Sequence, residues 1–267
     1  MPYMTALLVA AGLAWPGDAA DADQGQEQRE FANFAAKTAA SLDVRRVEKS
    51  EDSLTLREEP VLTWSNPEHG RVYGHVFLWT AGGRPEAIAS IYRWYHPLKH
   101  SSFELQSLSL GGLKASRAGS RLWEPRAAGI ELKPLPQSPA PAKTPPQRLI
   151  QMRQLARRFR VEATDRDDVE SHLRLLTAPL YRYERTEHEL VDGALFAFVQ
   201  ATDPDAVLLI EARRRSDGST AWQFGLARLN SIELRAFHED RQVWSAPELP
   251  WAAVQNRSRC YFSAPLK

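Results

Sequence analysis

The sequence has little of the material that marks several common classes of protein. Cys260 is the single cysteine among 267 residues, so the chain can form no internal disulfide and its core must hold it together. We interpret this thiol as a small apolar filler, because no activating partner accompanies it. The formal net charge is only +1, which argues against nucleic acid as a partner.

Long apolar runs and catalytic signatures are missing as well. No stretch approaches the roughly 18 apolar residues of a membrane-spanning helix, so none is expected after removal of a signal segment. The chain holds no Gly-x-Ser-x-Gly elbow, no P-loop and no Gly-x-Gly-x-x-Gly turn. We therefore predict no cofactor, no metal and no catalytic residue, and the sequence favours a non-enzymatic role.

The first 22 residues have the pattern of a secretory signal. An apolar run from Thr5 to Trp15 is followed by small residues and an Ala-x-Ala pattern that ends at Ala22. This pattern predicts cleavage after Ala22 and a secreted or periplasmic protein. The opening MPYM lacks the usual Lys or Arg, and two alternatives stay open. One is an uncleaved, membrane-retained segment, and the other is a buried N-terminal helix that Pro16 and Gly17 would end.

Two segments 119 residues apart repeat the same pattern. The first, PVLTWSNPEHGRVYGHVFLW, spans 60–79, and the second, PLYRYERTEHELVDGALFAF, spans 179–198. They share Pro, Glu-His, Val-x-Gly and Phe at the same places, and ungapped matches extend from Leu54 to Leu110. Strand-rich sequences often share a hydrophobic rhythm by chance, but they rarely share Pro and Gly positions too. The pattern predicts an internal duplication.

Each predicted repeat begins with a helix and continues with a sheet. Apolar residues at helical spacing indicate one helix at about 26–46 and another at 148–159. Alternating runs separated by Gly, Asp and Pro turns predict a four- to five-stranded antiparallel meander after each helix. We therefore expect an α+β fold with a first repeat at 23–132, a Pro-rich linker at 133–147 and a second repeat at 148–267.

Three segments carry a resemblance to a known group of proteins. They read GIELKPLP at 129–136, RLIQMRQLARRF at 148–159 and DGALFAFVQATDPDAVLLIEARR at 192–214. Together they resemble an uncharacterised family of exported proteins from planctomycete-type bacteria, over nearly the whole chain after the first 22 residues. The resemblance implies an envelope or secreted location. It implies no activity, so no catalytic residues come from it.

The two predicted repeats differ most on one strand, which suggests a binding surface. The second repeat reads EARRR at 211–215, and there the first repeat has aromatic residues and a histidine: Tyr92, Trp94, Tyr95 and His96. Trp64 and Trp79 lie on neighbouring predicted strands. Since alternate residues of a strand share a face, these side chains can form a platform for a sugar ring or a peptide. The alternative is that they fill the core beneath the helix.

Histidines occur in three patterns that, in other proteins, can serve metal binding or catalysis. His96, His100 and Glu104 have the spacing of a helical zinc site, but Pro97 and strand-like flanks favour a polar loop. His69 and His188 match across the repeats and suit acid–base chemistry, yet each lies in a polar connection between strands. His-Glu-Asp at 238–240 reads as a turn. We interpret all three patterns as loop or turn residues.

Two arginine-rich stretches are interpreted as solvated ends of elements. One is the second helix, which ends in several arginines, and the other runs from Arg213 to Arg215. Contact with an anionic glycan or a phospholipid headgroup is the alternative.

Two functions follow from these patterns. The first is a non-enzymatic exported envelope protein that binds an unknown envelope protein, glycan or peptide through the aromatic residues. The alternative is a hydrolase or lyase acting on cell-wall or polysaccharide material. It would use His96, His100 and Glu104, or the region of His69, while the aromatics grip sugar.

Overall fold

Strands account for most of the chain in the computed structural model, which describes residues 16–48, 52–68, 70–184 and 189–266. Strand makes up 51% and helix 14%. The helices in these ranges are α1 (Pro16–Ala40), α2 (Pro145–Ala156) and α3 (Trp251–Val254). The strands before α2 are β1 (Leu42–Arg46), β2 (Thr55–Leu56), β3 (Leu62–Ser65), β4 (Arg71–Ala81), β5 (Arg84–His96), β6 (His100–Ser107), β7 (Leu113–Arg117), β8 (Ser120–Trp123) and β9 (Lys133–Pro134). The later strands are β10 (Phe159–Thr164), β11 (Glu170–Leu175), β12 (Tyr181–Tyr183), β13 (Leu190–Gln200), β14 (Asp203–Arg214), β15 (Thr220–Arg228), β16 (Glu233–His238), β17 (Arg241–Ala246) and β18 (Tyr261–Leu266).

The strands form three antiparallel sheets. A six-stranded sheet has the order β18-β6-β5-β4-β2, with β3 also paired to β4. A nine-stranded sheet has the order β17-β16-β10-β11-β13-β14-β15-β9, with β12 also paired to β13. A three-stranded sheet has the order β1-β7-β8. Long hairpins β4–β5 and β13–β14 form the centres of the two larger sheets.

The two larger sheets pack face to face, and each carries a helix on its outer face. One buried cluster joins Val76, Leu78 and Ile88 of the six-stranded sheet to Leu195 and other apolar residues of the nine-stranded sheet. A second cluster lies beneath α1, and a third lies beneath α2. The alternation of side chains along each strand explains this layering, because successive residues of β5 and β14 face opposite cores.

The sheets also exchange their edge strands. β9 leaves the first half of the chain and pairs with β15, where Gln223 lies opposite Pro134. β18, near the C-terminus, pairs with β6, where Ser263 lies opposite Glu104. Each sheet is therefore completed by a segment from the other half of the chain, which ties the two halves together.

The predicted α+β class is wrong, since the described chain is mostly sheet. The predicted unit, one helix followed by a four- to five-stranded meander and then duplicated, is also not what the structure contains. Strands after each helix are more numerous than predicted and divide among three sheets. The structure also differs locally, because several strands are short and the first helix ends at Ala40 rather than at about residue 46.

Two places show these differences. Pro60 lies between two short strands, β2 and β3, since proline lacks the N–H that a ladder needs. The predicted helix end at about 42–46 is β1, whose alternating burial suits a strand with one buried face. Helix α1 runs from Pro16 through Ala22, across the predicted cleavage point, and the apolar run at 5–15 lies outside the described residues.

Candidate binding cleft

A cleft of about 230 Å³ opens at one end of the interface between the two larger sheets. Its aromatic walls come from α3 and from the six-stranded sheet, including β18: Trp64, Tyr92, Trp94, Trp251 and Tyr261. Its acidic residues come from both sheets: Glu104, Asp203 and Asp205. Across the rim, Thr202 accepts a hydrogen bond from the Ser65 backbone N–H at 2.9 Å, which links the two sheets.

The end of β5 turns two aromatic side chains toward this cleft. Tyr92 and Trp94 share the face that packs against the nine-stranded sheet, and both are half-buried. Trp64 crosses the strand beside them and donates a hydrogen bond from Nε1 to Ser90 at 3.1 Å. The Trp64 and Tyr92 rings lie 5.9 Å apart, so they form a continuous aromatic wall.

Trp64 can cross the strand only because Gly74 has no side chain. A Cβ at Gly74 would lie 1.9 Å from the indole, and Gly74 is the direct cross-strand partner of Trp64. Tyr183 covers Gly193 in the same way, with a Cβ there 2.4 Å from its ring. The shared glycines of the sequence pattern thus make room for an aromatic ring on the inner face.

Three carboxyl groups line the cleft, two from the nine-stranded sheet and one from the sheet that carries the aromatic wall. Asp203 and Asp205 begin β14, where alternate residues face the cleft, and Glu104 lies on β6. The Tyr261 hydroxyl donates to Glu104 at 2.8 Å, and the Asn230 amide donates to Asp205 Oδ1 at 2.6 Å. The other oxygen of Asp205, Oδ2, is buried and receives no hydrogen bond from the described residues.

Burial raises the pKa of all three carboxyl groups. Loss of solvent, together with nearby Asp205, raises the pKa of Glu104 to about 8, although Tyr261 stabilises its carboxylate. Burial also raises the pKa of Asp205 to about 6, against hydrogen bonds from Asn230 and from the Gln200 backbone N–H. The pKa of Asp203 lies well above its usual range because of burial and because of the charges of Asp205 and Glu104. Part of the cluster therefore holds protons at neutral pH.

The opposite end of the same interface is closed by ion pairs. Arg84 donates to Glu211 at 2.9 Å, and Glu211 also accepts from Tyr183 and Arg213 at 2.9 Å each. Glu86 accepts from Arg84 at 3.3 Å. These acids form ion pairs with guanidinium groups, whereas Glu104 and Asp205 of the cleft accept hydrogen bonds from neutral groups. The contrast makes the cleft the candidate functional site.

The predicted binding residues divide among three environments. Trp64, Tyr92 and Trp94 line the cleft. Trp79 is fully buried beneath α1, where it belongs to the core under that helix. Tyr95 points to the α1 side and donates to the Glu27 carbonyl at 3.2 Å. His96 is exposed at the end of β5, before the hairpin turn.

The predicted histidine patterns are not brought together as sites. His100 stacks on Trp94 with ring centroids 6.0 Å apart, while Glu104 lies four residues along the same strand, or about 13 Å at roughly 3.3 Å per residue. His238 is buried against Phe159 at the end of β16. His69 and His188 lie outside the described residues. Among the described residues, no group of three His, Cys, Asp or Glu is placed to hold a metal ion.

Sequence reasoning missed the acidic half of the cleft. The sequence patterns assign no functional role to Asp203 or Asp205, although at the 119-residue offset Asp203 stands where the first repeat has Arg84. That change from a basic to an acidic residue, directly before a long apolar strand, was a usable signal. No sequence pattern indicates that Glu104 lies near Asp203 and Asp205, because that proximity depends on how the two sheets pack.

Comparison with family models, with characterised proteins and with solved structures finds no match. The resemblance to an exported family therefore stays a prediction. In the described ranges, no helix is long and apolar enough to cross a membrane.

Proposed function

We propose that this protein is a non-enzymatic binding protein of the cell envelope, and that its ligand occupies the cleft between the two larger sheets. The observation that carries the proposal is the position of Tyr92 and Trp94. Both face an open cleft rather than the core beneath α1. Half-buried aromatic faces beside polar groups are typical of sites that hold sugars or peptides.

The position of the cleft supports the same function. It lies at the junction of two sheets and of the two halves of the chain, where binding sites commonly form. Most of its walls come from strands and from α3, while Asn66 and residues 229–231 lie in connections between strands, so a ligand there contacts mainly regular structure. A rigid site suits binding, since little order must be created when the ligand arrives.

Trp94→Ala tests the proposal against Tyr95→Ala as a matched control. The two residues are neighbours on β5, but Trp94 faces the cleft and Tyr95 faces α1. Calorimetry against cell-wall oligosaccharides and envelope peptides should show binding to the native protein and a loss of about tenfold or more in Trp94→Ala. Equal binding by native protein and a folded Trp94→Ala variant would contradict the proposal.

A hydrolase acting on polysaccharide is the second candidate, and the carboxyl cluster favours it. A general acid needs a raised pKa at neutral pH, and Glu104 has one beside two further carboxyls. Release of reducing ends from polysaccharide by the native protein, abolished in Glu104→Gln, would establish this function in place of simple binding. Binding without release of reducing ends supports the first proposal.

Export is the remaining element of the proposal. It is supported by the apolar run, the small residues and the Ala-x-Ala pattern of the first 22 residues. N-terminal sequencing of the protein recovered from its native cells tests it, and a mature chain that begins at Asp23 is the expected result. A chain that retains these residues in the cytoplasmic fraction would count against export.

A further inference from the structure

We infer that the ligand of the cleft is an amino sugar, whose protonated amine lies against the carboxyl groups of Asp203, Asp205 and Glu104. This inference rests on the proposed binding function and names the chemical class of the ligand. Four features of the cleft carry it: the sign of its charge, an unpaired buried oxygen, its aromatic walls and its size.

The charge of the cleft is of one sign. Among the described residues that line it are three acids and no Lys or Arg. Arg228 approaches from behind Tyr261, but its guanidinium donates to the carbonyl oxygens of Asn230, Ile232 and Pro247. The charge of Arg228 favours the ionised form of Glu104, but no lining side chain forms an ion pair with the three acids, unlike the acids around Arg84 at the opposite end. A cation in the cleft would therefore stabilise their ionised forms.

Asp205 marks the place for the cation. The residue is only 2% exposed to solvent, and it forms part of the cleft wall. Asn230 donates to Oδ1 and the Gln200 backbone N–H also stabilises the carboxylate, while Oδ2 accepts no hydrogen bond of good geometry from the described residues. A carboxylate that is only partly paired is costly to bury, and a cationic N–H group at the Asp205 side of the cleft would stabilise its ionised form.

The walls of the cleft suit a sugar ring that carries this charge. Tyr92 and Trp94 offer aromatic faces beside the acids, which favour both the flat face of a ring and a nearby cation. Gln200, Ser231 and Ser263 add amide and hydroxyl groups that suit ring hydroxyls. A lysine side chain has an amine but no hydroxyls, so these groups favour the sugar over a basic peptide.

The size of the cleft argues against a bare metal ion. A volume of about 230 Å³ is several times the roughly 30 Å³ that one water occupies in the liquid. In the part of the chain that the structure describes, no acids converge as metal ligands would. The space is suited to a molecule of several heavy atoms.

Binding of an amine should depend on pH, because it favours ionised carboxyls. The titratable and charged groups that face the site from the surrounding elements are Tyr92, Glu104, Asp203, Asp205, Arg228 and Tyr261. Both tyrosines have a pKa well above their usual range through burial, so they stay neutral. The carboxyls are the groups that release protons as the amine enters.

The experiment compares two trisaccharides by calorimetry, one of glucosamine and one of N-acetylglucosamine. They differ in whether the nitrogen is a charged amine or a neutral amide. The amine form should bind about tenfold more tightly, with release of protons to the buffer and with affinity that rises between about pH 5 and about pH 7.

Asp205→Asn should lower affinity for the amine form about tenfold and leave the amide form nearly unchanged. Asp240→Asn removes the same charge in an exposed turn far along the chain, and it should bind as the native protein does. Asp203→Asn, at a half-buried position, provides a second variant if Asp205→Asn does not fold, as judged by circular dichroism.

The outcomes separate this inference from the proposed function. Equal binding of both saccharides, with dependence on Trp94, overturns the amino-sugar inference and leaves the binding function standing. A lysine tripeptide that binds more tightly than the amine saccharide overturns the sugar and indicates a basic peptide. Absence of binding by every saccharide and peptide tested overturns both.

Discussion

Glu104 lies where a carboxylate is hard to maintain. Its surroundings are protein atoms and other acids, although the cleft leaves it some contact with solvent. With a folded-state pKa near 8 against an ordinary value of 4.5, the folded protein binds this proton more tightly than the unfolded chain does. The stability that this proton contributes is full below about pH 4.5 and is lost as pH rises through about 8.

We therefore expect the free energy of unfolding to fall by about 2–4 kcal/mol between pH 5 and pH 8.5, and Glu104→Gln to flatten that decline. Glutamine keeps an oxygen that can accept from Tyr261 but cannot ionise. Urea unfolding followed by tryptophan fluorescence measures the effect. Glu131→Gln, at an exposed position, should follow the native curve. A Glu104→Gln curve parallel to that of the native protein would show that this residue does not titrate as described.

Gly74 shows how one residue sets the geometry of a strand pair. Trp64 lies over Gly74 and reaches Ser90 on the next strand, so a methyl group at position 74 must displace the indole. The displaced ring would disturb both the inner core and the aromatic wall of the cleft.

At the scale of the strand pair, Gly74→Ala should destabilise the protein by about 1–3 kcal/mol, the usual cost of overpacking a core. Gly111→Ala is the matched control, because a Cβ there would meet nothing closer than 4.0 Å. Thermal unfolding of both variants measures the difference. Similar melting temperatures for Gly74→Ala and native protein would mean that Trp64 repacks without cost.

Strand alternation decides which predicted aromatics belong to the cleft. On β5, Tyr92 and Trp94 point to the nine-stranded sheet, whereas Tyr95 points to α1. The two-residue period was visible in the sequence, and it grouped Tyr92 with Trp94. Which face looks toward the helix and which toward the other sheet was not visible, because both faces of β5 are buried.

At the scale of the whole molecule, the interface between the two larger sheets has two unlike ends. Buried ion pairs around Arg84 close one end, and the acidic cleft opens the other. Arg84 and Glu211 come from different halves of the chain, so their pairing helps to define how the sheets are placed.

Arg84→Met should destabilise the protein by about 3–5 kcal/mol, because it takes a guanidinium partner from two buried acids, Glu86 and Glu211, and leaves Glu211 with Arg213 alone. Adding Glu211→Gln should recover part of this loss, since the remaining group is neutral. Arg121→Met removes an ion pair with Glu124 at a side chain that is 74% exposed, and it should change stability by less than about 1 kcal/mol. Denaturant unfolding of the three variants tests the difference, and a near-neutral Arg84→Met would contradict it.

The sequence by itself determined local features of this protein. The positions of Pro60, Gly74 and Gly193, the long hairpins and the face shared by Tyr92 and Trp94 follow from backbone chemistry and strand period, which act over a few residues. Tertiary structure alone decided the number of sheets, the edge exchange by β9 and β18, and the meeting of Glu104 with Asp203 and Asp205. These depend on contacts between segments that are distant in the chain, such as Ser263 opposite Glu104 and Gln223 opposite Pro134. Their free energy comes from burial of whole faces, which the spacing of residues within one segment does not reveal.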